Sequence, residues 1–273
     1  MEFRIIDVHV HVYPDKVAPK AAENLGKFYN FGIDEAGTLD SLLESEKKIG
    51  AGGFLMLPVA TDAAHVDHIN EYTADYVRKS RGLGFEAYAV GCMHQEYPDF
   101  ESGVRLIKSL GLLGVKLHPD IQREPVDSER MAGLYRVLER EGLLLYLHAG
   151  DRREEYYYSS PDRIGRAARA FPGLRICAAH FGGYSVWDEA EKYLWGKYDN
   201  VWYDLSASLQ WMTPAVATEN VRKAGVDRMM FGSDFPSVSP WRVMEMFEKL
   251  DLSDKEREDI LCRNTRRFLG VSE

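Results

Sequence analysis

Eight short apolar runs, separated by stretches of helical periodicity, recur along the whole 273-residue chain. The runs are rich in Val, Ile, Leu, Phe and Tyr and mostly lack polar alternation, which is typical of parallel strands buried under helices. The predicted strands are residues 5–12, 53–59, 86–93, 113–118, 143–149, 174–181, 201–206 and 228–234. Eight strands alternating with helices predict an α/β fold of the (β/α)8 TIM-barrel class, for which about 250 residues is usual. A doubly wound open sheet is the alternative, because periodicity does not report whether a sheet closes.

Two helices carry clear terminal signals. Ser128 is a predicted N-cap that precedes apolar residues at helical spacing, and Gly142 is a predicted stop. The segment 253–256 has a capping-box pattern and predicts a C-terminal helix through Phe268. Because the sequence contains no Pro/Gly/Ser-rich linker or internal repeat, we expect residues 1–273 to form a single domain.

The composition excludes several classes of partner. Lys and Arg number 34 against 43 Asp and Glu, a net charge of −9, which argues against a nucleic-acid ligand. The cysteines Cys92, Cys177 and Cys262 form no C-x-x-C pair, so neither a disulfide framework nor a cysteine zinc site is expected. Charged residues interrupt every hydrophobic stretch and no signal-peptide pattern is present. We therefore expect a cytoplasmic protein without a membrane partner, and a homo-oligomer is left open.

The first predicted strand contains the motif Asp7-Val8-His9-Val10-His11. Because side chains alternate between faces in a strand, strict period two predicts Asp7, His9 and His11 on one face. Three polar side chains on an inward face would be costly to bury without partners. Two imidazoles about 7 Å apart along one face can converge on a divalent cation, and a pair of hydrogen-bonded core histidines is the alternative.

Further polar side chains lie at the ends of later predicted strands, where barrel enzymes build their active sites. They are Lys116, His118, His148, His180 and Asp234. So many histidines with a carboxylate at one face are hard to explain by packing. Imidazoles with one carboxylate and no thiolate suit zinc, manganese, iron or cobalt and disfavour calcium. A cation with an open position would activate water for attack on a carbonyl group.

The ordered set of D-x-H-x-H at Asp7, single histidines on the fifth and sixth strands, and G-S-D-F-P at Gly232 resembles the amidohydrolase superfamily. Specifically, it resembles the amidohydrolase-2 branch, which contains metal-dependent hydrolases and non-oxidative decarboxylases on TIM barrels. The resemblance implies four metal ligands: His9, His11, His148 and Asp234. It also implies that Asp234 accepts the proton of the attacking water and that His180 polarises the substrate or shuttles a proton.

Lys116 and His118 share the inward face of the fourth predicted strand. In binuclear relatives a lysine at this place is carbamylated and bridges two metals. The favoured alternative is an ammonium group that pairs with Asp7 or another acid and binds an anionic substrate. That alternative leaves one divalent metal per chain, with zinc preferred to manganese. His118 and Arg152 are then predicted substrate contacts, Arg152 because its planar guanidinium suits a carboxylate.

Loop residues give weaker signals. Arg153 follows the fifth strand, as Arg152 does, and the aromatic residues at 156–158 and Trp211 are a candidate substrate lid or ordinary loop packing. His65 and His68 lie on a helical stretch, match no motif, and are predicted to be surface residues.

The leading hypothesis is a metal-dependent hydrolase that uses an activated water on a small carboxylate, lactone or amide substrate, expected to be anionic. The alternative is a metal-dependent non-oxidative decarboxylase of an aromatic or unsaturated acid, since the same ligands serve without a water nucleophile. A Schiff-base aldolase using Lys116 leaves the histidines unexplained. No G-x-S-x-G elbow supports a serine hydrolase. A non-enzymatic metal-binding barrel would have a closed four-ligand site without a substrate pocket.

Overall fold

Parallel strands form the centre of the protein in the computed structural model, which describes residues 4–272. The strands are β1 (Ile5–Val10), β2 (Ala51–Met56), β3 (Glu86–Ala89), β4 (Gly91–Cys92), β5 (Gly114–Leu117), β6 (Leu144–Leu147), β7 (Ile176–Ala178), β8 (Val201–Asp204) and β9 (Met229–Met230). Each strand pairs with its sequence neighbour, in the orders β1-β2-β3 and β4-β5-β6-β7-β8-β9, and every pairing is parallel.

Backbone hydrogen bonds join these two sheets at both ends. Val90, which lies between β3 and β4, donates to the carbonyl of Met56 in β2 at 3.2 Å. The short strands β3 and β4 are therefore one interrupted strand, which matches the predicted strand 86–93. Val8 of β1 donates to the carbonyl of Phe231 just after β9 at 2.9 Å. All eight predicted strands are present, and the TIM-barrel prediction is confirmed.

Helices connect successive strands and cover their outer side. They are α1 (Ala18–Tyr29), α2 (Leu39–Lys48), α3 (Val66–Gly82), α4 (Phe100–Ser109), α5 (Pro119–Gln122), α6 (Glu129–Glu141), α7 (Pro161–Ala170), α8 (Trp187–Tyr193), α9 (Pro214–Ala224), α10 (Pro240–Phe247), α11 (Asp254–Glu258) and α12 (Asn264–Leu269). Within residues 4–272, no helix combines the length and apolar character that crossing a membrane requires.

The predicted helix termini are confirmed. The Ser128 side chain accepts a hydrogen bond from the backbone N–H of Met131 and begins α6, and Gly142 ends it with a φ of 69°. Ser253 and Glu256 form the predicted capping box of α11. The C-terminal helix continues through a π-helical turn at 259–263 into α12, so it extends to the predicted end near Phe268.

Two clusters of buried apolar side chains pack against the strands. One lies between the strands and the outer helices, and the other fills the space that the strands enclose. Members of the inner cluster come from successive strands and include Val8, Leu55, Tyr146, Cys177 and Met230. Because these side chains fill the lower part of the interior, the polar residues that follow the strands lie above them at the carboxyl ends.

The prediction that Asp7, His9 and His11 share one face is wrong for Asp7. The pairing of β1 with β2 shifts register between Asp7 and Val10, as expected at a β-bulge, so the alternation of faces is broken. Val8 belongs to the inner cluster, whereas the Asp7 carboxyl lies beside Glu46 of the outer helix α2. The predicted pairing of Lys116 with Asp7 is wrong for the same reason, since the two side chains lie on opposite sides of β1.

Candidate active site

A cavity of about 570 Å³ opens at the carboxyl ends of the strands. Seven of the eight residues that the sequence predicted for the site line this cavity: His9, His11, Lys116, His118, His148, His180 and Asp234. They come from the ends of five strand segments that are far apart in the sequence. The barrel fold therefore brings together side chains that are up to 225 residues apart in the sequence.

Three donor atoms converge at the floor of the cavity. His9 Nε2 and His11 Nε2 are 3.2 Å apart, and both lie close to Asp234 Oδ1, at 3.3 Å and 3.4 Å respectively. Donors bound to one tetrahedral cation at about 2.0–2.1 Å would lie about 3.3–3.4 Å from one another. The three atoms therefore have the spacing of ligands around a single metal ion.

The hydrogen bonds of the two Nδ1 atoms show which nitrogen of each imidazole carries the hydrogen and which has a lone pair for the point of convergence. His9 Nδ1 lies 2.9 Å from the Asp204 carboxylate and His11 Nδ1 lies 2.6 Å from the carbonyl oxygen of Leu57. Both partners can only accept a hydrogen bond, so both Nδ1 atoms carry the hydrogen. Burial lowers the pKa of His9 to about 3, which leaves it neutral. The Nε2 atoms therefore point lone pairs at each other and at a carboxylate, an arrangement that a cation stabilises.

Asp204 is a site residue that the sequence analysis missed. It ends the seventh strand of the barrel, and besides His9 it accepts the backbone N–H of His180 and the hydroxyl of Tyr146. Burial would raise the pKa of Asp204, but the electrostatic interaction and hydrogen bond with His9 lower it well below its usual range. A signal for it was present in the sequence, because Asp204 lies near the end of predicted strand 201–206 just as His148 lies near the end of its own.

His148 and His180 form a second pair. His148 Nε2 donates to the carbonyl of Gly150 at 3.1 Å, and His180 Nδ1 donates to the carbonyl of Ser206 at 2.9 Å. His148 Nδ1 and His180 Nε2, 3.1 Å apart, therefore face each other with lone pairs when both rings are neutral. Burial lowers the pKa of both imidazoles. This pair can hold a shared proton or a common ligand.

Only three of the four predicted metal ligands lie close to one another. His9, His11 and Asp234 form one group of converging donors, whereas His148 belongs to another group with His118 and Asp120. His118 and His148 stack with ring centres 4.0 Å apart. The role of His148 as fourth ligand therefore stays a prediction.

Tyr29 is a second site residue that the sequence analysis missed. It is the last residue of α1, and its hydroxyl lies 2.7 Å from His118 Nε2. His118 Nδ1 accepts the backbone N–H of Ile121, so Nε2 of the neutral ring donates to Tyr29. Burial lowers the pKa of His118 well below 6.5 and keeps it neutral. The hydroxyl hydrogen of Tyr29 is thus free for another acceptor. No sequence motif predicted Tyr29 as a site residue, because it lies at the end of a helix and not at the end of a strand.

Lys116 is buried at the floor of the cavity, with its Nζ 5.0 Å from the ring centre of Tyr146. Among the described residues, no atom accepts a hydrogen bond from this Nζ. Burial lowers the pKa of Lys116 to about 8, although Asp204 and Asp234 partly oppose the shift. A buried ammonium group without a partner fits an anionic ligand.

The loop candidates lie mostly outside the cavity. Arg152 is exposed and does not belong to the lining, so its predicted contact with substrate stays a prediction. Arg153 is held by Asp151 and by the carbonyl of Phe28. His65 and His68 are exposed, as predicted, but they also line the mouth of the cavity.

Two site residues have unusual backbone. Asp234 has a φ of 72° and His180 a φ of 59°, in the left-handed region that side chains other than glycine rarely adopt. Both residues lie outside the observed strands, because β7 ends at Ala178 and β9 ends at Met230. The predicted strands extended to residues 181 and 234. Such strain concentrates at functional sites, where the surrounding structure maintains it.

Comparison with known proteins agrees with the barrel fold. The chain is similar to an uncharacterized TIM-barrel protein from Bordetella bronchiseptica (19% identity, 98% of both chains, TM-score 0.78). It is also similar to a candidate 2-pyrone-4,6-dicarboxylic acid hydrolase from Pseudomonas putida (22% identity, 99% of this chain and 98% of that one, TM-score 0.70). A third similar structure is a dihydroxybenzoic acid decarboxylase from Polaromonas sp. JS666 with bound manganese (15% identity, 98% and 97%, TM-score 0.72). The family model described as Amidohydrolase matches residues 6–271, and the chain therefore belongs to the amidohydrolase family of metal-dependent hydrolases and decarboxylases.

Proposed function

We propose that this enzyme is a metal-dependent hydrolase that acts on a small anionic carboxylate, lactone or amide. The observation that carries the proposal is the triangle of His9 Nε2, His11 Nε2 and Asp234 Oδ1, with sides of 3.2–3.4 Å. All three atoms present lone pairs to one point, and the outer nitrogens of both imidazoles are fixed by acceptors. That donor set fits a divalent cation.

The proposed ligands are His9, His11 and Asp234, with His148 as the fourth. Nitrogen-rich donors favour zinc, and manganese is the second choice. We expect one cation per chain. When bound, the cation would lower the pKa of a water molecule towards neutrality and polarise a substrate carbonyl.

The side chains around this point have complementary roles in the proposal. Burial would raise the pKa of Asp234, but its interactions with the imidazoles of His11, His9 and His180 lower it to about 2, so the carboxylate is ionised and can accept a proton. His180 lines the cavity, and its Nε2 is the atom that would polarise the substrate or exchange a proton with it. Lys116 binds the anionic group of the substrate, whereas His118 contributes through Tyr29, whose hydroxyl accepts its Nε2–H hydrogen.

A second candidate function is non-oxidative decarboxylation. The observation that favours it is the Tyr29 hydroxyl, which accepts from His118 and keeps its own hydrogen free at the cavity wall. Loss of CO2 from an acid requires a proton for the carbon that carried it, and Tyr29 is placed to donate one. Lys116 would bind the carboxylate before it leaves.

Metal analysis and isotope labelling test the proposal. We expect about one zinc or manganese per chain, loss of activity with a chelator, and recovery when the metal is returned. His11→Ala should lower metal content, whereas His68→Ala, an exposed histidine at the mouth of the same cavity, should leave it unchanged. Two metals per chain would favour carbamylated Lys116 instead.

A panel of lactones, amides and acids then separates the two reactions. A hydrolase incorporates labelled oxygen from water into its product, whereas a decarboxylase releases CO2 and takes up solvent deuterium on the carbon. A chain that holds no divalent metal and keeps its activity in chelator would overturn both functions.

A further inference from the structure

Helix α1 presents an apolar side to the cavity, where Phe28 packs against the ring of Tyr156 and the other residues of that side line the open space. Val17, Ala21, Leu25 and Phe28, here called the α1 apolar stripe, recur at helical spacing and all line the cavity. Among the described residues of α1, Ala18 is the buried one. No residue of the stripe belongs to either apolar cluster of the barrel.

Amphipathic helices normally bury their apolar side against the protein core, because exposed apolar surface is unfavourable in water. Here the stripe faces the cavity instead, opposite Ile69 and Tyr72 of α3. A cavity of 570 Å³ falls in the range that accepts drug-sized ligands, well beyond a single small ring. An apolar part of a bound ligand would remove the stripe from water.

The depth of the lining residues orders the cavity into three zones. The floor is polar and buried, with Lys116 and the histidines, and the middle is apolar, with residues such as Leu25, Phe28 and Ile69. The mouth is exposed and polar and includes Lys20 and His68. Because the apolar zone continues directly from the polar floor, a single molecule can occupy both.

The charges of the lining limit the polar part of that molecule. Of the Lys and Arg side chains that the structure describes, Lys20 and Lys116 line the cavity. Lys20 is 66% exposed and its Nζ lies 3.0 Å from Glu23, so it offers no buried cationic site. Of these two, Lys116 is the one that is buried and without a hydrogen-bond partner. A second carboxylate in the middle zone would lose its hydration without gaining a buried cationic partner.

We propose that the substrate carries one anionic group, bound beside Lys116, and an apolar body larger than one ring, which lies against the α1 apolar stripe. This inference rests on the proposed function, because it takes the floor of the cavity as the place of reaction. It assigns substrate selection to α1, and in particular to Leu25.

Binding of 4-alkylbenzoates to the full chain tests the inference independently of catalysis. Dissociation constants of benzoate and of its 4-ethyl, 4-butyl and 4-hexyl derivatives are measured by calorimetry, with and without zinc. Affinity should rise by up to about fourfold per buried methylene. 5-Butylisophthalate, with a second carboxylate, should bind at least tenfold more weakly than 3-butylbenzoate.

Two variants of the stripe sharpen the test. Leu25→Ser should flatten the gain with chain length, whereas Leu83→Ser, at a leucine that is 63% exposed and outside the cavity, should leave it unchanged. Ala21→Phe should weaken binding of 4-hexylbenzoate and spare benzoate. Thermal unfolding of each variant checks that it is folded.

The outcomes are distinguishable from failure of the proposed function. No gain in affinity along the series, an equal gain in Leu25→Ser, or equal binding of the isophthalate would overturn the inference, whatever the metal content. A chain that binds the series as expected but holds no divalent metal would refute the proposed function and leave the assignment of the apolar cavity in place.

Discussion

The two sides of strand β1 use the same kind of residue for different purposes. On the cavity side, His9 and His11 meet Asp234, and all three present acceptor atoms to one point. On the outer side, Asp7 lies against Glu46 of α2, and its Oδ1 accepts the backbone N–H groups of His9 and Ser233 at 3.0 Å each. The cavity side forms a candidate ligand site. On the outer side, Asp7 hydrogen-bonds the first strand to Ser233 in the segment after the last strand.

The difference distinguishes two kinds of buried acid. Asp234 is ionised, because neighbouring imidazoles lower its pKa to about 2 despite its burial. For Asp7, burial raises the pKa to about 7, and for Glu46 burial and the nearby Asp7 raise the pKa well above 4.5. The ionised carboxylate lies among imidazole lone pairs in the cavity, whereas the two carboxyls whose pKa values are raised lie outside the cavity, between β1 and α2.

The largest expected effect is a loss of turnover when Asp234, on the cavity side of β1, is replaced. Asp234→Asn keeps the shape of the side chain and one oxygen donor but removes the base, so turnover should fall by about 10²–10⁴-fold while some metal is retained. Steady-state rates and metal content of the same preparation measure this, once a substrate has been found.

Asp7→Asn is the matched control on the outer side. It makes the same chemical change two residues from His9, and we expect its turnover to stay within about threefold of the wild type, a difference of about 0.6 kcal/mol in activation free energy. Near-normal turnover of a folded, metal-loaded Asp234→Asn enzyme would contradict the proton-accepting role of Asp234.

The next effect concerns stability. Asp7→Ala leaves the buried N–H groups of His9 and Ser233 without an acceptor, and each such group costs about 1–3 kcal/mol. We expect the free energy of unfolding to fall by about 2–4 kcal/mol, measured by urea denaturation at pH 7.

Asp7→Asn again provides the control, because its amide oxygen still accepts both N–H groups and its amide nitrogen can donate to Glu46. Its free energy of unfolding should lie within about 1 kcal/mol of the wild type. Equal destabilisation by the two substitutions would show that the charge, and not the acceptor, is what β1 requires.

The sequence predicted the barrel well, because eight apolar runs and their helix caps are local signals. It predicted seven residues of the cavity for a similar reason, since each lies near the carboxyl end of a predicted strand and these ends meet at one face. It failed where geometry departs from a regular strand. The bulge between Asp7 and Val10 has no sequence signature here, and it moved Asp7 to the outer side.

Two further site residues were missed, for different reasons. Tyr29 enters from the end of α1, and only the folded chain shows that its hydroxyl meets His118. Asp204 stands behind His9, where its effect is through hydrogen bonds rather than a motif. That one domain accounts for residues 1–273 stays a prediction.

The last expected effect tests the outer pair by its pH dependence. Burial and the neighbouring Asp7 raise the pKa of Glu46 in the folded state above its ordinary value of 4.5. The native chain therefore holds this proton more tightly than the unfolded chain does. The resulting stabilisation is complete below the unfolded pKa and is lost as the pH rises towards the folded pKa, by about 1.4 kcal/mol for each pH unit between the two. Glu46→Gln, which cannot ionise, should thus gain stability relative to the wild type between pH 5 and pH 8.

Urea denaturation of both proteins at these two pH values measures the difference. Glu44→Gln, an exposed position on the same helix, serves as the control and should follow the wild type at both pH values. Parallel pH dependence of the wild type and Glu46→Gln would mean that Glu46 ionises freely in the folded chain. Asp7 would then be the only carboxyl of the pair that resists ionisation, and the contrast between the two sides of β1 would rest on its hydrogen bonds to His9 and Ser233 alone.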